Sequence, residues 1–358
     1  AARGTDLARV RRLRDSPVEY ERSVWTQMAE LGWLGVLVPE AHGGLGLGLA
    51  EAAIIAEGLA RSLAPEPYTA AAVLSVEAVA CADNETLKSR LLQEISSGAT
   101  IAGLAWQERA GEGAVAIETR ARPFEGGYRL NGEKRFIAGA AGADGYIVAA
   151  RTDAQALALF WIDRNASGAV LKREGLADGR HFGTLVLSDV VVARENLLAS
   201  EAVAGQALER ALDHARVIAS AELYGVMSRA LEMTVEYLKT RVQFGKPIGS
   251  FQALQHRATD LYIQQQLASA ALDHVIAALD EEPEPRRRSA LASRAKARCS
   301  EAALTITRAA IQLHGAIGFT DEYDAGLYLK RAMVLAAWLG GATWHRRRYA
   351  KLALEESA

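Results

Sequence analysis

The chain has 358 residues, half of them hydrophobic, and 41 Lys and Arg against 43 Asp and Glu give a formal net charge of −2. That length supports two or three domains with cores of their own, and the near-neutral balance favours neither nucleic acid nor an anionic membrane as a partner. Cys81 and Cys299 stand far apart, which excludes a disulfide framework and implies buried thiols in a reducing compartment. No apolar run approaches the roughly 20 residues that span a bilayer, and no charged segment followed by an apolar one opens the chain, so a cytoplasmic protein is expected.

In chain order, residues 1–99 read as an α-helical domain, rich in Ala, Leu, Glu and Arg and punctuated at Pro39, Gly43-Gly44 and Pro65 to Pro67. Residues 100–198 change texture to short β-prone runs at 101–106, 114–119, 128–131, 145–150, 157–162 and 183–192, broken by Gly, Asp and Asn, which predicts an antiparallel sheet or small barrel. Residues 199–358 return to long helices, near 204–243, 250–280, 285–314 and 322–354, with Glu281 to Pro285 as a loop between two of them. They read as a four-helix bundle, too continuously apolar to be covered by one layer of the same chain.

Three segments carry chemistry. Arg241-Val-Gln-Phe244-Gly245-Lys-Pro247 ends one helix and Ser250 offers an N-cap for the next; Arg241 and Phe244, three apart on the last turn, would present a cation and a ring together. Gln312-Leu-His314-Gly315-Ala316-Ile-Gly318-Phe-Thr-Asp-Glu-Tyr323 lies about seventy residues downstream. Gly32-Trp-Leu-Gly35 through Pro39-Glu40, with His42-Gly43-Gly44, lies far upstream, and Tyr128 to Lys134 supplies a fourth anchor in the middle.

These four segments, in this order, resemble the acyl-CoA dehydrogenase family from about residue 20 to about residue 350. The resemblance implies an α+β multidomain fold, with an N-terminal helical domain, a central β domain and a C-terminal four-helix bundle, and one further helix before residue 1, which is Ala and not Met. It also implies FAD bound at a subunit interface. Arg241 and Phe244 then match positions that contact the neighbour's cofactor, and Gln312 and Gly315 match its adenosine-side contacts. A fixed guanidinium suits a diphosphate, and Gly lets the backbone approach it; Ala316 replaces a second Gly expected there. On the flavin side, Glu108 survives from the family's Gly-rich loop within Gln107 to Gly113, and Phe136-Ile137-Ala138 stands where a Trp-Ile-Thr sequence is usual, so Phe136 and Ala138 are candidate contacts, with Trp106 nearby.

The family's reaction, desaturation of an acyl-CoA thioester to the trans-2-enoyl-CoA, needs a carboxylate to take the α-proton opposite the flavin. One family position for that Glu falls in Trp338-Leu-Gly-Gly-Ala-Thr343 and a second at Ala215, before Arg216; neither holds a carboxylate. Glu222 remains, because Ala215, Ala219, Glu222 and Val226 share a helix face of small residues where a carboxyl pKa would rise. The resemblance therefore leaves two functions open. One is a catalytic dehydrogenase that passes electrons to an electron-transfer flavoprotein as a dimer or tetramer. The other is a non-catalytic partner in an α2β2 assembly, lending Arg241, Phe244 and Gln312 to a flavin whose base belongs to a paralogous chain. His256 and His314 read as structural, no His or Cys spacing makes a metal site, and the runs Arg286–Arg288 and Arg346–Arg348 read as solvated helix faces.

Overall fold

Helix formers at three- and four-residue spacing occupy both ends of the chain and β-branched runs its middle, and the computed structural model follows that division. It describes residues 7–354 apart from Pro17, residues 111–115 and Glu282. Helices α1 (Leu7–Arg14), α2 (Arg22–Glu30), α3 (Leu49–Arg61), α4 (Val76–Ala80) and α5 (Glu85–Ser96) come first. Strands β1 (Ala102–Ala105), β2 (Arg120–Phe124), β3 (Gly127–Ala138), β4 (Gly145–Thr152), β5 (Leu157–Asp163), β6 (Ala169–Gly175), β7 (His181–Val192) and β8 (Leu197–Ser200) follow. Helix α6 (Glu201–Thr240), the short strands β9 (Val242–Gln243) and β10 (Lys246–Pro247), and helices α7 (Gln252–Asp280), α8 (Pro285–His314), α9 (Ala325–Ala337) and α10 (Ala342–Leu354) close the chain.

Contacts gather these residues into two units, one of Leu13–Ala52 and Pro65–Ala215, the other of the residues up to Arg12, Ala53–Ala64 and those from Arg216 onward. In the first, eight strands run in the order β6-β7-β3-β2-β4-β5-β8, with β1 against β4. Most neighbours are antiparallel, as the turn residues suggested, but β1 and β2 each pair with β4 in parallel, so the sheet is mixed. Strands β2, β6 and β8 escape the sequence pattern; β2 and β6 carry exposed charged residues and break the apolar alternation that marks a strand. Of the strand expected over 114–119, residues 114 and 115 lie outside the described residues, and 116–119 lead into β2 without being strand. Tyr146, Val148, Phe160 and Leu185 fill the core of this sheet. Asn84 ties α5 to it: its Oδ1 caps the helix by accepting from Leu87 N at 3.1 Å, and its Nδ2 donates to Leu197 O at 2.8 Å.

In the second unit the bundle is built around α8, which starts with Glu284 accepting from Arg287 N and Pro285 at its first position. Its inner face carries Ala292, Ser293, Ala295, Ala302 and Ala303, all buried, small enough to let neighbouring helices approach closely. The helix expected over 322–354 is two helices, because Leu339 (φ 62°) and Gly340 (φ 110°) turn the backbone between α9 and α10. The arginine runs are solvated faces only in part: Arg287, Arg346 and Arg347 are exposed, but Arg286 donates to Leu352 O at 2.6 and 2.9 Å, Arg348 donates to Ser289 and Ser293 between 2.8 and 3.1 Å, and Arg288 is buried. Their stems and heads join α8 to α10, a use of long cationic side chains that composition does not reveal. Cys299 is a buried thiol as expected, whereas Cys81 is only half-buried. Among the described residues no helix is long and apolar enough to cross a membrane, and no cluster of His, Cys, Asp and Glu is placed to hold a metal.

Candidate cofactor site

Helix α6 stops at Thr240, and the next residues form a two-residue hairpin in which Lys246 pairs with Gln243. Phe244 (φ 53°) and Gly245 (φ 79°) are both left-handed, as the central residues of a type I′ turn must be. Phe244 therefore sits at a hairpin tip and not on the helical face it was expected to share with Arg241. Its ring is 91% exposed and stands edge-on to Phe251, centroids 6.0 Å apart. Ile248 N donates to Arg241 O at 2.8 Å, folding the hairpin back over the helix end. Ser250 does not cap α7; its hydroxyl donates to Pro247 O, and Phe251 occupies the cap position without a side-chain bond.

Arg241, Gln312 and Gly315, about seventy residues apart in sequence, come together around one cavity of about 660 Å3, with Arg257 of α7 as a further wall. Ile248, Leu254, Leu313 and Ile317 supply apolar lining, and among the described residues no Asp or Glu lines it. Gly315 has φ 65° and ψ −139°, a backbone region that glycine alone enters without strain. His314 forms part of the wall. Its Nδ1 donates to Ala310 O at 2.7 Å, its Nε2 accepts from the Tyr323 hydroxyl at 2.9 Å, and the Tyr237 ring lies 4.5 Å away. Burial pushes its pKa down, so the ring is a neutral structural group, as the sequence suggested. Arg11 secures the following loop, donating to Asp321 O at 2.9 Å and pairing with Asp324 at 2.8 Å.

Glu222 lies on α6 with its side chain 12% exposed, and Arg331 of α9 donates to its Oε2 at 2.6 Å. The small-residue face implied by spacing along α6 is thus only half of its surroundings, since a guanidinium from another helix completes them.

Family models place the acyl-CoA dehydrogenase N-terminal domain at residues 5–99 and the acyl-CoA dehydrogenase C-terminal domain at residues 205–354. Acyl-CoA dehydrogenase IpdE2 of Mycobacterium tuberculosis is 32% identical over 91% of this chain and 85% of its own. The chain belongs to the acyl-CoA dehydrogenase family. Among solved structures, a Tcur3481–Tcur3483 steroid ACAD variant matches with a TM-score of 0.87 and 30% identity over 99% of this chain and 94% of that one. The ChsE4–ChsE5 complex of Mycobacterium tuberculosis matches with a TM-score of 0.88 and 27% identity over 98% and 93%. The chain is thus an oxidoreductase of a family whose members bind FAD. The residues around the cavity fit the diphosphate half of that cofactor: guanidiniums without a protein counter-charge, an amide at Gln312 and a backbone without Cβ at Gly315.

The residues expected on the flavin side gather at β3. Glu108 Oε1 accepts from Lys134 Nζ at 2.5 Å, Thr119 Oγ1 at 2.7 Å and Thr119 N at 2.9 Å, and Oε2 accepts from Glu118 N at 2.7 Å. Burial pushes Lys134 down to about 8. Burial alone would raise the Glu108 pKa, but Lys134 and Thr119 outweigh it and hold the carboxyl below its usual range. These bonds tie Glu108 to the residues leading into β2 and to β3, and residues 111–115 lie outside the described residues. Phe136 (φ 58°) sits at the irregularity between Lys134 and Ile137 in the pairing of β3 with β7, edge-on to Phe182, and Ala138 pairs with Phe182. Trp106 is buried at the end of β1.

The loop between α9 and α10, where one base position was expected, rests on basic side chains. Lys296 Nζ donates to Leu335 O, Ala336 O and Gly340 O at 2.9 to 3.2 Å, and Arg216 Nε and His345 Nε2 donate to Leu339 O at 3.3 and 3.1 Å. Burial, with Arg216 adding to it, pushes Lys296 down to about 7. Burial pushes His345 down to about 2, helped by Lys296, Arg216 and Arg348. Sequence reasoning missed Lys296 and His345, because nothing in their spacing distinguishes them from ordinary helix residues. It also missed Arg257, although an Arg in the second turn after the elbow was a visible signal.

Proposed function

We propose that this chain is one of two unlike subunits of an FAD-dependent acyl-CoA dehydrogenase that desaturates an acyl-CoA thioester to the trans-2-enoyl-CoA. In this reading it lends Arg241, Phe244, Gln312 and Gly315 to the cofactor, and the catalytic base belongs to the partner chain. The ion pair between Glu222 and Arg331 carries the reading. A carboxylate whose Oε2 is tied at 2.6 Å to a guanidinium of another helix is engaged in joining α6 to α9 and is not free to reach a substrate's α-proton. The two usual base positions hold no carboxylate either. FAD held there would supply the acceptor for the hydride that leaves the thioester's β-carbon, and an electron-transfer flavoprotein would take the electrons onward. Arg241 neutralises the diphosphate, Gly315 lets the backbone approach it, and the exposed Phe244 ring offers a flat apolar contact. The two-component ChsE4–ChsE5 complex supports the subunit arrangement by likeness.

The test is expression of the chain alone, followed by its visible spectrum and addition of acyl-CoA. A folded, colourless protein that gains flavin only with a second dehydrogenase chain is expected. A yellow protein holding one flavin per subunit that acyl-CoA bleaches would overturn the proposal in favour of a self-sufficient dehydrogenase using Glu222.

A further inference from the structure

The cavity bounded by Arg241, Gln312 and Gly315 also holds a residue that the motifs do not point to. Arg257, on the second turn of α7, lines the same space. Neither its guanidinium nor that of Arg241 has a hydrogen bond or ion pair among the described residues, and the lining contains no carboxylate and a neutral His314. Two cations facing one cavity of about 660 Å3 with no protein counter-charge repel each other and create a positive potential there. A surface arginine that served only solubility would need no such convergence, and Asp260, three residues on along α7, does not pair with it. What relieves the repulsion is a doubly charged anion reaching both guanidiniums, and Ile248, Leu254 and Ile317 leave an apolar flank for a ring beside it.

We infer that Arg257 is a second phosphate-binding residue, which together with Arg241 grips the diphosphate of a nucleoside diphosphate moiety. This rests on the reading that the cavity receives the ADP half of FAD, and it assigns to α7 a share in a contact otherwise confined to the elbow and the α8 terminus. Arginine suits the task because its planar fork can bind two phosphate oxygens at once, which a lysine at the same place cannot.

The experiment is calorimetric titration of the full chain with ADP and, separately, with adenosine, for the parent, Arg257→Gln, Arg257→Lys and Arg241→Gln. Arg257→Gln should weaken ADP about tenfold, the loss of one charge-assisted contact, and leave adenosine within about twofold. Arg257→Lys should recover part of the ADP affinity, and thermal midpoints should stay near the parent value because both arginines are exposed. If Arg241→Gln weakens ADP while Arg257→Gln does not, the role of Arg257 is refuted and the cofactor reading stands. If the parent does not bind ADP, or neither variant changes its affinity, both fall together.

Discussion

Glu222 of α6 and Arg331 of α9 meet at 2.6 Å, with side chains only 12% and 10% exposed. A carboxylate in that position is an anchor between helices, and its removal takes a counter-charge from a guanidinium from which water is largely excluded. Glu222→Gln should therefore cost about 3 kcal/mol of stability in urea unfolding, and Glu222→Leu combined with Arg331→Met should recover most of it. Parent-like stability together with abolished flavin reduction would instead identify Glu222 as the base.

Arg241 should behave in the opposite way. Its side chain is exposed and makes no ion pair among the described residues, so Arg241→Ala should change stability by less than about 0.5 kcal/mol. Loss of a charge-assisted bond to a diphosphate should weaken FAD retention about tenfold or more in the assembled protein. Flavin fluorescence during dialysis measures the second effect, and a lowered melting temperature with unchanged FAD retention would mean that the residue is structural.

Glu108 separates a structural from a cofactor role on the sheet. Lys134 is fully buried beside it, so Glu108→Gln should destabilise the flavin-free protein by about 3 kcal/mol, and the added change Lys134→Met should restore much of the loss. The depressed Glu108 pKa gives stability that is present above the ordinary carboxyl range and is lost as pH falls through the native value. Glu108→Gln should accordingly flatten the acid limb of the stability curve. An unchanged limb would contradict the ion pair.

His345 sets a second pH dependence. Its native pKa is pushed down to about 2, so below the ordinary imidazole range the unfolded chain takes up a proton that the native chain refuses. The stability it contributes is complete above about pH 6.5 and falls with acidification by up to about 1.4 kcal/mol per pH unit. Glutamine can keep the bond to Leu339 O without titrating, so His345→Gln should remove that slope between about pH 6 and pH 4. Denaturation midpoints across this range decide the matter, and identical slopes in both proteins would refute it.

Much of this protein was determined by local chemistry in the chain itself. Apolar spacing set the helices at both ends, Gly and Pro set the elbow after Thr240, and Gly315 marked a backbone that only glycine adopts, because each depends on residues a few positions apart. The motif residues Arg241, Gln312 and Gly315 were legible through the family resemblance that their segments carry, and the fold brings them to one cavity. The tertiary structure alone decided what those local signals meet. Arg331 reaches Glu222 from 109 residues away, Arg257 joins Arg241 only because α7 packs back beside the end of α6, and the Arg286 and Arg348 side chains turn from apparent surface into links between α8 and α10. The physical reason is that a side chain's partners across a helix interface depend on the axial position and rotation of two packed helices, quantities to which hydrophobic periodicity, repeating every 3.6 residues, is nearly indifferent.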